Sequence, residues 1–332
     1  MNIDYESNHT VTEKTTIQNN AIVIEQFGDT TELKQSHLSV MVPNDNQVLI
    51  KIHNAAINPI DVKTRAGIGF AAAQNKDNLP IGLGYDVCGQ VVAVGAAVNE
   101  FAIGDMVMGM VGFPLSPGCY QDYRLAERGD IISVNSVQDF SSLSGLCLSG
   151  LTALQGLMLL SKKLKAGSRV YINAAGGGVG HLAVQIAYNL GFKVTAIVSD
   201  PTAAFVNSLA CEVVSYEQFV EANDAQALFD VAGGARGLKC IAALKTDSQV
   251  VTVPTVTAQE CIDLANSMNI ACQGMLVSSN TADLTQLFLW YQEGQLKLHI
   301  DSQFTFSDVA KAHERVESGL AQGKVMLVNS NY

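Results

Sequence analysis

Four glycines stand between an apolar strand pattern and a helix pattern in residues 171–187, which read YINAAGGGVGHLAVQIA. A loop of this kind lets the backbone approach a pyrophosphate, and the helix after it points its free N–H groups and positive dipole end at the phosphates. The spacing therefore predicts a dinucleotide-binding loop with the contact residues Ala175, Gly176, Gly177, Gly178, Val179 and Gly180. The alternative is a glycine-rich turn that only joins a strand to a helix.

A second segment, NPIDVKTRAG at residues 58–67, places polar side chains directly after a strand-like run. Pro59 fixes the backbone there, so Asn58, Asp61 and Lys63 could form the lip of a pocket. The alternative is an ordinary turn that begins with an Asx-Pro pair. The sequence of this segment leaves both interpretations open.

Periodicity predicts the elements that must hold the glycine loop. Apolar residues recur with helical spacing after it, which predicts one buried stripe made of Val179, Leu182, Ala183, Ile186, Ala187 and Leu190. A β-like run at 193–198 follows, as the second strand of a βαβ unit requires. Further short strands at 213–216, 228–231 and 249–253 complete a doubly wound parallel sheet of the Rossmann type, an α/β fold.

The chain on either side of this sheet has a different pattern. Residues 1–20 are polar and lack apolar periodicity, which predicts a flexible leader. Strands expected at 21–26 and 47–55 precede short β-branched runs separated by Gly and Asp, which together predict a compact, barrel-like domain. The remaining expectations are helices at 133–160, 284–295 and 306–321 and a final strand at 325–328.

Composition limits the classes of protein. With 332 residues, 48% hydrophobic residues and 28 glycines, the chain fits a well-cored α/β enzyme of two domains. A net charge of −11 argues against nucleic acid or an anionic membrane as a partner. Seven scattered cysteines without a CxxC pair predict buried thiols in a reducing compartment. We recognise no apolar run of about 18 residues and no signal peptide, so we expect a cytoplasmic location.

Six motifs in the same order resemble the medium-chain dehydrogenase/reductase superfamily, and within it the zinc-independent quinone oxidoreductase branch. They are NPID at 58–61, GYDVCG at 84–89, GDMV at 104–107, GLTA at 150–153, the loop at 174–180 and GKV at 323–325. The resemblance implies a GroES-like, β-rich catalytic domain made of residues 21–145 and 290–332, with a Rossmann dinucleotide-binding domain at 146–289 inserted between its parts. It also implies a homodimer, often joined through an edge strand of the nucleotide domain.

Zinc-dependent alcohol dehydrogenases of this superfamily hold a catalytic metal with Cys and His. At the corresponding positions this chain has Asn58, and then Tyr85 and Asp86, while Cys147 is a single thiol in the region of the third ligand. We therefore expect no metal. Without one, the resemblance implies hydride transfer from a reduced nicotinamide to an acceptor that is already electrophilic, either a quinone or an α,β-unsaturated carbonyl such as an enone or enal.

The pocket residues have expected roles in such a reaction. An amide donates and accepts at once, so Asn58 is the candidate for orienting the nicotinamide or the substrate carbonyl. Asp61 is expected to brace its loop, and Lys63 to donate to the developing oxyanion, although a loop lysine is often only solvated. Lysine at this position is similar to plant-type quinone and enone reductases. Thr152 and Val253 are expected to contact the cofactor, unless Thr152 only caps a helix.

The choice between NADP(H) and NAD(H) depends on the end of the second strand, where an acid binds the ribose and a basic residue binds the 2′-phosphate. The resemblance implies that Ser199 and Tyr216 contact this phosphate, but the lysine expected beside them is missing, and residues 194–235 contain no Lys or Arg. Asp200 lies near the position of an NAD-selecting acid. Lys324 could supply a charge from elsewhere, so we favour NADP(H) and keep NAD(H) as the alternative.

Two other functions stay open at this point. An enoyl-thioester reductase would share the same fold, and a long apolar tunnel would favour it over a short pocket. A non-catalytic, crystallin-like protein could keep the fold and bind a nucleotide or RNA. The acidic balance weighs against RNA, and the intact glycine loop weighs against a loss of nucleotide binding.

Overall fold

The first part of the chain forms β-sheets with mostly antiparallel pairing. The computed structural model describes residues 17–40, 42–222 and 225–329. Its first eight strands are β1 (Ile17–Ile24), β2 (Lys34–Val40), β3 (Gln47–Ile57), β4 (Ile81–Gly82), β5 (Asp86–Val94), β6 (Met106–Met110), β7 (Tyr123–Glu127) and β8 (Ile131–Ser133). β1 lies between β2 and β4 in a three-stranded sheet, whereas the other five strands belong to a seven-stranded sheet.

The flexible leader expected at residues 1–20 extends too far along the chain, because β1 begins at Ile17. Residues 1–16 of that leader lie outside the described residues, but 17–20 already belong to β1, which pairs with β2 from Ile17 to Val23. This segment lacks apolar periodicity because backbone hydrogen bonds to β2 and polar side chains hold it in place. Asn20 donates from its backbone N–H and from its amide to the Asp122 carboxylate, at 3.1 and 2.7 Å.

Six parallel strands form the sheet that carries the glycine loop. They are β9 (Arg169–Asn173), β10 (Lys193–Val198), β11 (Glu212–Ser215), β12 (Ala227–Asp230), β13 (Gln249–Thr252) and β14 (Ala271–Gly274). Their spatial order is β11-β10-β9-β12-β13-β14, with parallel pairing throughout. The order reverses between β9 and β12, and ligands of open parallel sheets bind outside the carboxyl ends of the strands at such a point. The expected α/β fold of the Rossmann type is confirmed.

The end of the chain returns to the first sheet. β15 (Ile300–Thr305) pairs in parallel with β16 (Lys324–Val328), and β16 pairs antiparallel with β3. Val325 pairs with Ile57 and Val328 pairs with Asn54, at the end of β3. β7 pairs with the same edge of β3 nearer its start, at residues 47–51. This pairing brings Lys324 to the end of β3, beside the segment that begins at Asn58.

The helices lie between and around these strands. They are α1 (Pro59–Arg65), α2 (Phe70–Asn75), α3 (Cys147–Ser161), α4 (Gly180–Asn189), α5 (Asp200–Asn207), α6 (Tyr216–Ala222), α7 (Gly234–Ala242), α8 (Ala258–Ser267), α9 (Thr281–Gln292) and α10 (Val309–Glu317). Of the stripe predicted for α4, Leu182, Ala183, Ile186 and Ala187 are fully inaccessible, whereas Val179 and Leu190 at its ends are half-buried. Burial is not limited to this stripe, because residues 180–187 are all buried. The polar segment at 58–67 is a capped helix and not only a turn, with Asn58 as N-cap and Pro59 in the first turn.

Helix α3 is shorter than the expected helix at 133–160. Ser133 ends β8, and only a 3₁₀ turn at Leu143–Leu146 precedes α3. Together they form a helical stretch, Leu143–Ser161, with a mean hydropathy of 1.6, long and apolar enough by length and composition to cross a membrane. Our expectation that no such run exists was wrong. However, 83% of this apolar window is buried inside the protein, as in the core helix of a globular fold.

One apolar core continues from the antiparallel sheet through α3 into the parallel sheet. It contains Cys88 and Met108 from the first, Leu151 from α3, and Val170 and Ile172 from the second. A hydrophobic contact surface of this kind fixes the two sheets relative to α3. All seven cysteines are free thiols, and those at 211 and 272 are half-buried rather than fully buried as expected.

The packing of α3 on β12 yields a stability prediction. Gly-to-Ala changes in helices usually stabilise by about 1 kcal/mol. A Cβ on Gly156, however, would lie 2.3 Å from the Phe229 ring and 2.9 Å from the Met275 sulfur. We expect Gly156→Ala to lower the free energy of unfolding by about 1–3 kcal/mol, because the added methyl overpacks this contact.

Chemical denaturation measures this change. A Cβ on Gly129 would meet nothing within 4 Å, so Gly129→Ala is the matched control and should shift the free energy by less than about 0.5 kcal/mol. A Gly156→Ala protein as stable as wild type would mean that α3 and β12 pack less closely than described.

Candidate active site

The glycine loop turns tightly between β9 and α4. A Cβ on Gly180 would lie 2.3 Å from the carbonyl oxygen of Ala174, so no side chain fits where the helix meets the loop. Gly177 is more open, because a Cβ there would meet only the carbonyl oxygen of Ala174 in the same loop, at 3.5 Å, an ordinary van der Waals contact. The backbone of the loop is therefore accessible in front of the α4 N-terminus, as binding of a pyrophosphate requires.

Two adjoining cavities lie along the carboxyl ends of the parallel strands. The first, of about 240 Å³, is bordered by the glycine loop, the start of α7 and the segment before β16. The second, of about 270 Å³, is bordered by α1, α3 and the residues after β12 and β13. Pro59, Val179 and Val231 line both cavities, so the two form one trough across the point where the strand order reverses.

Most predicted site residues border this trough. Those that line one of its two cavities are Gly177, Gly178, Val179, Gly180, Lys324, Asn58, Lys63, Thr152 and Val253. The others lie outside both linings. Ala175 is fully buried, Gly176 packs against Thr202, and Asp61 lies inside the protein behind Asn58.

Ser199 and Tyr216 lie next to each other at the edge of the parallel sheet. Val198 of β10 pairs with Ser215 of β11. Ser199 and Tyr216 directly follow these paired residues and therefore lie at neighbouring strand ends. Both side chains are half-buried, and burial raises the pKa of the Tyr216 hydroxyl to about 12. The structure thus brings together the two residues predicted at the adenosine end of the cofactor.

Asn58 is fully buried, and protein groups engage both ends of its amide. Its Nδ2 donates to Asp86 Oδ2 at 2.8 Å, and its Oδ1 accepts from Lys324 Nζ at 2.6 Å and from Ser149 Oγ at 3.3 Å. The amide therefore positions its buried neighbours. Asn58 also lines the second cavity, and its expected role in orienting the nicotinamide or the substrate carbonyl stays a prediction.

Lys324 lies at the centre of this polar network and is 2% exposed. Its Nζ donates to the carbonyl oxygen of Ile57 at 3.2 Å, to Asn58 Oδ1 and to Ser149 Oγ at 3.0 Å, and lies 3.6 Å from Asp86 Oδ2. All three ammonium donors are used within the protein, so Lys324 has no free N–H for a ligand, and the contribution of its charge at the 2′-phosphate stays a prediction. Burial lowers the pKa of Lys324 and raises that of Asp86, and the attraction between the two groups opposes both shifts.

Asp61 braces the start of α1, as expected. Its Oδ2 accepts from the backbone N–H of Asn58 at 2.8 Å and from the Tyr120 hydroxyl at 2.9 Å. Burial raises its pKa to about 7, and the neighbouring Asp86 contributes to this rise, although the Asn58 hydrogen bond opposes it. Asp61 is therefore a buried carboxyl group that titrates near neutral pH.

The positions where zinc ligands would stand have other partners. Asn58 and Asp86 bond each other, and the Tyr85 hydroxyl donates to the carbonyl oxygen of Pro114 at 3.0 Å. Burial raises the pKa of the Cys147 thiol well above its usual range, which disfavours the thiolate that a metal needs. Across the described ranges no group of three or more His, Cys, Asp or Glu residues could hold a metal ion.

Thr152 and Lys63 face the second cavity from opposite sides. Thr152 lies within α3 and donates to the carbonyl oxygen of Leu148 at 2.7 Å, so it does not cap the helix. Lys63 is half-buried, and desolvation lowers its pKa. Among the described residues no hydrogen bond or ion pair engages its ammonium group, which leaves that group available to a ligand.

The sequence-based analysis missed several members of the site. Asp86 stood inside a recognised motif but had no assigned role, and Ser149 and Tyr120 had no signal at all. Arg236 follows a Gly-Gly turn after β12 and borders the first cavity. The rule that ligands bind at strand ends on both sides of the reversal could have identified Arg236, because β12 flanks that point.

The raised pKa of Asp61 predicts a pH dependence of stability. The Asp61 carboxyl has a pKa near 7 in the folded protein, against 3.8 ordinarily. Because the unfolded state releases this proton more readily, the free energy of unfolding falls as the pH rises from about 4 to about 7. Asp61→Asn keeps an acceptor for Asn58 and Tyr120 but removes this titration. Relative to wild type we expect the variant to gain stability between pH 5 and pH 8, by at most about 4 kcal/mol.

Urea unfolding at pH 5 and pH 8 measures this difference. Asp77→Asn removes an exposed carboxylate and serves as the control, which should follow wild type at both values. If the stability difference between Asp61→Asn and wild type were the same at both pH values, the Asp61 carboxyl would not titrate in this range.

Two family models match this chain. The model described as "Alcohol dehydrogenase GroES-like domain" matches residues 44–136, and the one described as "Zinc-binding dehydrogenase" matches residues 209–327. The second description does not extend to the metal here, because the expected ligand positions hold Asn58, Tyr85 and Asp86.

Individual relatives cover nearly the whole chain. A quinone oxidoreductase from Pongo abelii is 29% identical over 93% of this chain and 97% of its own length. The chloroplastic NADPH-dependent alkenal/one oxidoreductase of Arabidopsis thaliana is 30% identical over 92% of this chain and 78% of its own length. The solved structure of a quinone oxidoreductase from Coxiella burnetii is 37% identical, has a TM-score of 0.88 and covers 94% of this chain and 99% of its own. The chain therefore belongs to the medium-chain dehydrogenase/reductase superfamily, and within it to the zinc-independent quinone oxidoreductase branch.

Proposed function

We propose that this protein is an NADPH-dependent oxidoreductase that transfers hydride to a quinone or an α,β-unsaturated carbonyl without a metal. One observation carries the proposal. The cavity at the glycine loop continues into an apolar pocket whose lining includes one cationic side chain, Lys63. A nucleotide along this trough would have its phosphates at the loop and its reactive ring in the pocket.

The residues present fit a dinucleotide. The pyrophosphate would lie against Gly177 and Gly178 at the start of α4, and the adenosine end would lie near Ser199 and Tyr216. Its nicotinamide, which supplies the hydride when bound, would be held in the second cavity between Thr152 and Val253. The names of relatives that carry NADPH, such as the Arabidopsis enzyme, support NADPH over NADH.

The pocket would activate the acceptor through exclusion of water and one positive charge. Its rim carries exposed apolar side chains, Ile68, Val256 and Leu276, which suit an apolar acceptor. The Lys63 ammonium would donate to the acceptor oxygen as negative charge develops there. Asn58 and Asp61 would act indirectly. They would hold the start of α1 in place and thereby position Lys63, which belongs to the same helix.

The same geometry bears on the alternatives. An enoyl-thioester reductase has support from relatives named as trans-enoyl reductase, but a pocket of about 270 Å³ suits a compact acceptor better than a long chain. A non-catalytic, nucleotide-binding role would leave the half-buried Lys63 without a purpose. We further propose a homodimer in the cytoplasm, with domain boundaries at 17–145, 146–289 and 290–332, where the first boundary is moved from 21 to the start of β1.

Assays of cofactor oxidation test this function. We expect the purified protein to oxidise NADPH with 1,4-benzoquinone or a small enone, faster than with NADH, and to keep its activity after dialysis against a metal chelator. NADPH binding without oxidation in the presence of any acceptor would contradict an enzymatic role, and activity lost to the chelator would contradict the metal-free mechanism.

Lys63 gives the sharper mutational test. Lys63→Met should lower kcat/KM for the acceptor about 100-fold, because a donor to the developing oxyanion is lost, while NADPH binding stays within about twofold. Lys76→Met removes an exposed lysine just after α2 and is the control. Unchanged kcat/KM in Lys63→Met would show that the acceptor oxygen is polarised by another group.

A further inference from the structure

The first cavity has one cationic side chain that is free to bind a ligand. Two cationic residues line it, Lys324 and Arg236. The Lys324 ammonium is turned into the protein, where three acceptors take its hydrogen bonds. Arg236 is exposed, and within the described part of the chain it makes no hydrogen bond or ion pair. Its guanidinium is therefore an unused positive charge at the edge of the nucleotide site.

The backbone that carries Arg236 is held firmly. Asp230, the last residue of β12, accepts from the Gly233 backbone N–H at 2.9 Å and from Asn173 Nδ2 at 2.6 Å through Oδ1, and from Thr252 Oγ1 at 2.7 Å through Oδ2. These bonds tie the turn before α7 to β9 and β13. Arg236, in the first turn of α7, thus starts from a fixed position beside the glycine loop.

Arg236 also lies close to the adenosine end of the predicted site. Tyr216 packs in the same apolar cluster as Leu238 of α7. Burial raises the pKa of the Tyr216 hydroxyl, and the positive charge of Arg236 acts against that rise, so the two side chains are electrostatic neighbours. Arg236 thus borders the glycine-loop cavity and acts electrostatically on Tyr216, which lies beside Ser199.

The end of the second strand of the βαβ unit, which usually supplies the cation for a 2′-phosphate, has no basic residue in this chain. Residues 194–235, which include the end of β10 and all of β11, contain no Lys or Arg. A 2′-phosphate beside Ser199 would enter an acidic protein of net charge −11 without a local counter-charge. A guanidinium presents paired N–H donors that match phosphate oxygens, which makes arginine well suited to that position.

We propose that Arg236 binds the 2′-phosphate of NADPH and thereby determines the preference for NADPH over NADH. The inference rests on the proposed function only in taking a nicotinamide nucleotide as the ligand, and it does not depend on which acceptor is reduced. It assigns to α7 the charge that other dinucleotide sites supply from the end of the second strand.

Equilibrium binding without any acceptor tests this assignment. We expect Arg236→Ala to raise the Kd for NADPH by about tenfold or more, the loss of a charged hydrogen bond, and to change the Kd for NADH less than about twofold. Adenosine 2′,5′-bisphosphate should lose affinity in parallel with NADPH. Lys239→Ala removes the same charge three residues along α7, from an exposed pair with Glu217, and should bind both nucleotides as wild type does.

Each other outcome overturns the assignment. An equal loss of NADPH and NADH affinity would place Arg236 on the pyrophosphate, and no loss of either would show that it binds no phosphate. A wild-type protein that binds NADPH but reduces no acceptor would contradict the proposed function, and the binding comparison would still decide the role of Arg236.

Discussion

A lysine ammonium buried against an aspartate is the interaction on which the rest of this site depends. Taking two charges out of water is costly, and their attraction offsets the cost only when hydrogen bonds satisfy the remaining donors and acceptors. Lys324 and Asp86 meet that condition through Asn58 and Ser149, and through the Leu148 backbone N–H that donates to Asp86 Oδ1 at 2.7 Å. The groups come from β16, β5, the α1 cap and α3, so the network ties four segments of the chain to one point.

This constraint also explains the form of the chemistry. The place where related dehydrogenases hold zinc is filled by the side chains of Asn58 and Asp86, which bond each other, and of Tyr85, which bonds the Pro114 carbonyl. The second cavity in front of it has an apolar wall and, among the described residues that line it, a single cationic side chain, Lys63, so the acceptor must bring its own electrophilic character. In the proposed site, the buried polar groups would be structural supports, and the half-buried and exposed groups beside them would meet the ligands.

The sequence predicted the parts of the fold that local patterns encode. β10 was predicted to the residue, and the glycine loop, the centre of the α4 stripe and the start of β3 followed from periodicity and spacing, whereas β3 ends two residues beyond the predicted 47–55. The leader boundary was wrong, since backbone ladders rather than apolar alternation hold β1. The hydrogen-bond partners of Asn58 and Lys324 were not predicted, for another reason. Which partner a polar side chain finds depends on contacts between segments hundreds of residues apart, and neither composition nor spacing encodes them.

The pairing of β16 with β3 has a consequence for biosynthesis. Lys324 and Asn58 are separated by 266 positions, so the polar centre cannot close while the chain is still being translated through the parallel sheet. Until β16 leaves the ribosome, Asp86 lacks its counter-charge, the Asn58 amide oxygen lacks the Lys324 donor, and residues 54–57 of β3 lack a partner on one edge. The nascent chain thus exposes an incomplete edge for most of its synthesis, a state in which chaperones or strand-pairing errors act. Completion of the site and completion of the fold are the same event.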